Sequence, residues 1–260
     1  MIRKPRLSEI TVISMAIGMS SIVIGQNSQQ EIEEIEVFAD SRRTEGITNV
    51  NAAISVLGEE ELDLILQTHY QEALARVPGF SGNRNNGQES LMALRSPVLT
   101  GAGACGAFLI AENGIPVRSA GFCNVNEMFD THTEYAQSIE VIRGPASAFW
   151  GSNALHGLVN VRLPDPGEIG ELTLEQGPRG SYRTKAAIGS DSGNFKQSLY
   201  LTGINEEGYR DDSGVDQQKA SWLYEYTLAS GIKMEGGFTY NNLNQETAGY
   251  VAGAKAYEDG

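Results

Sequence analysis

Cysteine, histidine and basic charge are all scarce in this chain. Its 260 residues hold two Cys, three His, and 19 Lys and Arg against 33 Asp and Glu. Each scarcity removes a class of function. A formal charge of −14 leaves no basic surface for a phosphate backbone, so no nucleic acid is expected as a partner. No run of about 20 apolar residues follows the first 30 positions, which excludes a transmembrane helix from the mature chain. His69, His132 and His156 stand far apart, with no Cys-x-x-Cys or His-x-x-x-His spacing. Nucleophile elbows and phosphate loops are missing too. Neither an enzyme, nor a metal centre, nor a cofactor site is therefore expected.

The N-terminal stretch says where the chain goes. Arg3, Lys4 and Arg6 precede a short apolar stretch over 10–25 that is interrupted by serine, and Val23-Ile24-Gly25 lies where a signal peptidase would cut. Residues 1–25 thus read as a secretory signal peptide, with no amphipathic face to suggest a buried helix. Cys105 and Cys123 flank one hairpin. In an oxidising compartment a bridge between them would contribute on the order of 3 kcal/mol. That disulfide is favoured over a metal site, which needs three or four ligands.

The mature chain has two textures. Residues 26–34 are polar and expected to be disordered. The alternating segment after them, 35–39, is either a strand offered to another chain's sheet or the first strand of the next domain. From 48 to 165 the pattern is small α/β. A strand is expected at 52–57, a helix at 59–66 from the spacing of Leu62, Ile65 and Leu66, and a helix at 70–76 opened by a Thr68–Gln71 capping box and stopped at Pro78-Gly79. Strands are expected at 91–95, 107–111 and 135–143, with Asn113-Gly114 as a two-residue hairpin turn. The polar runs 81–87, 100–104 and 130–134 are expected to be loops, the last in preference to a metal site.

From Leu172 the period is 2. Leu172 and Leu174, then Tyr182 to Ile188, then Trp222 to Leu228, then Ile232 to Tyr240, each alternate with polar neighbours, and 195–204 does so more weakly. Strands of about 9–11 residues with an aromatic-bearing face match transmembrane β-barrel strands, as do a short junction at 229–231 and a long acidic one at 205–218. A soluble sandwich alternates as well; the export signal and the aromatic faces favour the barrel. Four or five strands cannot close, and lipid does not tolerate open edges. The chain is therefore expected to be a fragment, the N-terminal part of something larger or a truncated product.

Between the textures stands Glu140-Val141-Ile142-Arg143-Gly144-Pro145-Ala146-Ser147, followed by Trp150-Gly151, Ala154, Gly157 and Val159-Asn160-Val161. With Arg76-Val77-Pro78-Gly79-Phe80 and Glu112-Asn113-Gly114-Ile115-Pro116-Val117, this run resembles the plug motifs of TonB-dependent outer-membrane receptors. His156-Gly157 departs from the family's paired glycine. The resemblance implies an α+β plug domain followed by antiparallel transmembrane strands, part of a 22-stranded barrel. It divides the chain into a signal peptide (1–25), a flexible segment with the TonB box (26–47), a plug (48–165) and the start of the barrel (166–260).

Roles follow from the resemblance. Glu34, Ile35, Glu36, Val37, Phe38 and Ala39 are similar to a TonB box, although Phe38 is larger than the residue common there. Glu140, Arg143, Gly144 and Pro145 would lock plug to barrel, the two charges pairing with each other or with wall charges. Arg84, Asn85, Asn86, Arg118 and Phe122 are candidate ligand contacts, through charge pairing and ring stacking. The implied function is uptake of a scarce nutrient, an iron–siderophore first, at the outer membrane of a Gram-negative cell. The implied partners are TonB, the ferric siderophore and outer-membrane lipid. The alternative is a plug-type binding module that does not transport.

Overall fold

The computed structural model describes residues 35–38, 42–84, 87–95, 108–118, 127–178, 180–208, 211–247, 249 and 253. The expected signal peptide, both cysteines, Glu34 and Ala39, Asn85 and Asn86, Phe122 and the loop at 100–104 lie outside the described residues.

Residues 36–162 build the first region. Its elements are β1 (Glu36–Val37), β2 (Glu45–Gly46), β3 (Ile54–Gly58), α1 (Glu59–Ile65), α2 (Tyr70–Leu74), β4 (Phe80–Arg84), β5 (Ser90–Leu94), β6 (Phe108–Glu112), β7 (Ile115–Pro116), β8 (Ser138–Arg143), α3 (Ser147–Trp150) and β9 (Gly157–Arg162). A sheet of order β3-β8-β9-β6-β7 forms its centre, with only β6 and β9 parallel. Both faces are covered, which is why β8 and β9 read as continuous apolar runs and not as alternation. Ile139, Val141, Val159 and Val161 pack against Leu62, Tyr70 and Leu74 on one side. Ile142 and Leu158 pack with Leu109, Trp150 and Ala154 on the other. The β8–β9 approach is close enough to demand glycine at 157, where φ is +155° and a Cβ would lie 2.2 Å from the Ile142 carbonyl oxygen.

Several expected boundaries move. The helix at 59–66 ends at Ile65, and Leu66 caps it in the left-handed region at φ 47°. The second helix is capped by His69, whose Nδ1 accepts the Gln71 N–H, and not by Thr68. Thr68 instead donates its own N–H and hydroxyl to Glu72. The polar stretch from Ser81 to Arg84, expected as loop, is strand, because Ser90–Leu94 offers it an antiparallel ladder. Pairing and packing decide strand formation more than composition does. The turn Asn113-Gly114 forms as expected, with φ of 48° and 77°.

The second region is an antiparallel meander of β10 (Gly170–Gln176), β11 (Tyr182–Asp191), β12 (Phe195–Glu206), β13 (Val215–Thr227) and β14 (Lys233–Gln245), in that order. One face carries exposed Leu172, Leu174, Ile188, Trp222, Phe238 and Tyr240. The other buries Ala187, Tyr200, Gln217, Lys219 and Ser221 against the first region. The five strands do not close on themselves.

Candidate functional site

The two regions meet along a buried polar seam centred on residues 128–135. Two short 3-10 turns, Glu127–Asp130 and Thr133–Tyr135, shape this segment and set its side chains against the inner face of the sheet. Period-2 geometry puts Gln217, Lys219 and Ser221 on that face of β13 together. Lys219 Nζ donates to both oxygens of Glu134, at 3.0 and 3.1 Å, and to the Thr131 carbonyl at 2.8 Å. His132 places its two ring nitrogens 2.8 Å from the hydroxyls of Ser221 and Thr202. Gln217 reaches the Phe129 carbonyl at 3.0 Å, and Asn241 reaches Asp130 at 2.9 Å. The Tyr135 ring lies 5.0 Å from that of Tyr200 and beneath Lys185 Nζ at 4.5 Å.

Glu112 joins the seam from β6. One carboxylate oxygen accepts the His132 N–H and the other the Thr239 hydroxyl, both at 2.7 Å. Burial holds these groups in unequal states. It pushes Glu112 above its ordinary value and His132 down to about 4, which leaves the imidazole neutral near pH 7. Burial alone would raise Glu134 too, but Lys219 outweighs it and the carboxyl ends below its ordinary value. The arrangement holds two surfaces together. Among the described residues no group of metal-binding side chains forms.

An outer contact supplements the seam. Gln88 N–H donates to Gln245 Oε1 at 3.0 Å, and Arg84 lies 3.8 Å from Glu206. Arg84 is thus one expected ligand contact already facing a carboxylate. Arg118 is the other described one, 3.4 Å from Asp130. Each cation would have to exchange its partner for an anionic ligand.

The N-terminal segment is docked, not free. β1 pairs with β2 inside the same chain, and Val37 is 2% exposed. Phe38 packs on the apolar cluster around Trp150 and Leu158, and its ring faces Arg162 at 5.1 Å. Its N–H donates to Glu140 Oε1 at 3.0 Å. Of the two possibilities left open by the sequence, the structure shows an in-chain strand.

One of the two pairings expected of the lock does not form. Glu140 and Arg143 do not pair with each other, because an odd separation on one strand sends side chains to opposite faces. Neither has a described hydrogen bond to the second sheet. Glu140 Oε2 accepts from Asn160 Nδ2 at 3.0 Å, and Arg143 Nη2 donates to the Ile54 carbonyl at 3.4 Å. Gly144 and Pro145 follow as a turn into α3. Among the described residues the buried charges that join the regions are Glu134 and Lys219, and Arg84 faces Glu206 outside the seam. In sequence 130–134 reads as a polar loop; the parity of Lys219 with Gln217 and Ser221 is the available signal.

Comparison with known proteins agrees with this geometry. Residues 47–158 match the family model described as TonB-dependent Receptor Plug Domain. The chain is 29% identical over 171 residues to the vitamin B12 transporter BtuB of Photobacterium profundum, a match covering 64% of this chain and 27% of that protein. The chain thus spans about a quarter of the length of this relative. Among solved structures, the ferric citrate transporter FecA in its unliganded form superposes with a TM-score of 0.68 at 18% identity, over 87% of this chain and 36% of that one. The ferripyoverdine receptor of the outer membrane of Pseudomonas aeruginosa gives 0.66 at 14% identity, over 80% and 27%.

Proposed function

We propose, from the premise that this chain carries the plug and first wall strands of a TonB-dependent outer-membrane receptor, that it serves uptake of a scarce nutrient. The plug (48–165) gates a barrel begun by residues 166–260, and the cargo is an iron–siderophore. One observation carries this reading. The plug is held on the inner face of the wall by a buried polar seam with Lys219–Glu134 at its centre, as a gate must be before it is moved. The wall's outer face carries the leucines and aromatics that lipid requires. Segment 34–39 is the handle: its strand Glu36–Val37 can leave its in-chain partner and add to the sheet of TonB. Arg84 and Arg118 are positioned to take an anionic ligand in exchange for Glu206 and Asp130. No chemistry on the cargo is required.

Deleting residues 34–39 in the intact receptor should abolish energised uptake of a labelled ferric siderophore and leave its binding unchanged. Uptake at the wild-type rate would refute the handle. A parallel arm with labelled cobalamin separates the two cargo classes.

A further inference from the structure

We infer that the tip of the β6–β7 hairpin, residues 112–114, couples the plug–wall seam to the N-terminal segment, with Asn160 and Glu140 as the residues that position that segment. The inference deepens the function proposed above and takes its purpose from it.

A continuous chain of hydrogen bonds runs from the wall to that segment. Glu112 uses one oxygen on the wall, at Thr239, and the other on the seam, at His132 N. Next to it, Asn113 is fixed at both ends. Its N–H donates to the Val161 carbonyl at 2.8 Å, and its Oδ1 accepts from Leu163 N at 2.9 Å. Gly114 N donates to Asn160 Oδ1 at 2.9 Å. Asn160, fully buried, passes the chain on through Nδ2 to Glu140 Oε2, and Glu140 Oε1 receives the Phe38 N–H. Asn160 and Glu140 are the buried links, and a buried polar group that loses its partner cannot turn to water.

Two further contacts bind the tip to the same segment. Gly114 lies against the Phe38 ring so closely that a Cβ would come within 2.5 Å of it. The Gly114 carbonyl accepts from Arg42 Nη2 at 3.2 Å, and the Arg42 N–H in turn donates to the Phe38 carbonyl at 3.0 Å. A shift of Glu112 with the wall therefore displaces Gly114 and withdraws the partners of Asn160, Glu140 and Phe38 in sequence. Binding linkage makes the effect reciprocal, so loosening the segment must also loosen the seam.

Hydrogen exchange resolved to single amides, on the intact receptor in outer-membrane vesicles without ligand or TonB, tests this. Thr239→Val removes one wall hydroxyl on an exposed strand position and should speed exchange of the Phe38 amide about fivefold or more, the low end of ordinary coupling between sites. Thr239→Ser, which keeps the hydroxyl, should restore wild-type protection. Asn160→Leu should speed exchange at both Phe38 and His132. Faster exchange at His132 with Phe38 unchanged in Thr239→Val would overturn the coupling, and this variant decides even if Asn160→Leu does not fold. The measurement involves no transport, so intact coupling in a receptor that fails to take up siderophore would count against the proposed function alone.

Discussion

The central plug sheet and the wall sheet are built from the same ladder of backbone hydrogen bonds and solve opposite burial problems. In β8 the four residues 139–142 are all buried, three of them apolar. In β13 burial alternates: Val215, Gln217, Lys219 and Ser221 face the plug, while Trp222 and Tyr226 are about 40% exposed on the other side. The plug sheet puts apolar side chains on both faces because helices, turns and the N-terminal segment cover it. The wall inverts the soluble pattern, polar within and apolar without, as a lipid-facing strand must. The contrast locates the free energy that holds them together. The seam is mostly polar, with Tyr135 on Tyr200 and Ala187 as its apolar part, so hydrogen-bond satisfaction more than apolar area holds the two sheets together.

The sharpest way to break that picture is Lys219→Met. It leaves Glu134 buried without its cation, and breaking one side of a buried pair typically costs about 3–5 kcal/mol. Loss of protection at Thr131 to Tyr135, with the β10–β11 ladder kept, is the expected pattern in hydrogen exchange. Adding Glu134→Gln should recover much of the loss, since no buried charge then remains. Lys233→Met, which removes the 3.0 Å exposed pair with Glu225 on the wall, should leave the seam unchanged. Equal losses from both lysines would show that the seam is no stronger than a surface contact.

Acid should distinguish the regions next. All three histidines precede residue 160, so none lies in β10–β14. Burial holds His69 and His132 at about 4, against an ordinary 6.5. A lowered folded-state value means that the unfolded chain binds the proton first. The stability each neutral imidazole supplies is therefore full above pH 6.5 and is lost as pH falls toward 4, on the order of 3 kcal/mol apiece. Glu112, raised by burial, acts in the opposite direction as it takes up its proton. Melting between pH 7 and 4 should weaken the plug before the wall, and His132→Gln should remove a good part of the slope. An unchanged slope in that variant would place the acid sensitivity elsewhere.

The wall was legible from sequence and the seam was not, for a physical reason. A strand with one face in lipid must alternate, so Tyr182, Trp222 and Phe238 announced their faces by spacing alone. The plug centre is recognisable by its motif from Glu140 to Val161, yet one of the two pairings expected there does not form. Glu140 and Arg143 suggested a salt bridge, and pleat parity forbids one. The residues that join the regions lie some 85 positions apart in the chain, as Glu134 and Lys219 do. Nothing local in an acidic turn or in one strand lysine declares its partner. The docked N-terminal segment was equally hidden, because its hold on the plug passes through a backbone N–H that any residue at 38 except proline would offer.

The finest test concerns a place where, among the described residues, the seam uses a ring in place of a carboxylate. Lys185 Nζ sits 4.5 Å over Tyr135 and 3.9 Å from Glu171 on the neighbouring strand. The first contact crosses from wall to plug and the second stays within the wall. A cation over a tyrosine face contributes roughly 0.5–1 kcal/mol where solvent reaches it and more where it does not. Lys185→Met keeps most of the aliphatic stem that packs on the ring and deletes only the charge. A loss near 1 kcal/mol at Tyr135 by hydrogen exchange, about five times smaller than that of Lys219→Met at most, would rank the seam's contacts as its geometry does. The same loss in a Tyr135→Leu background would assign the effect to Glu171, and Lys185 would then belong to the wall alone.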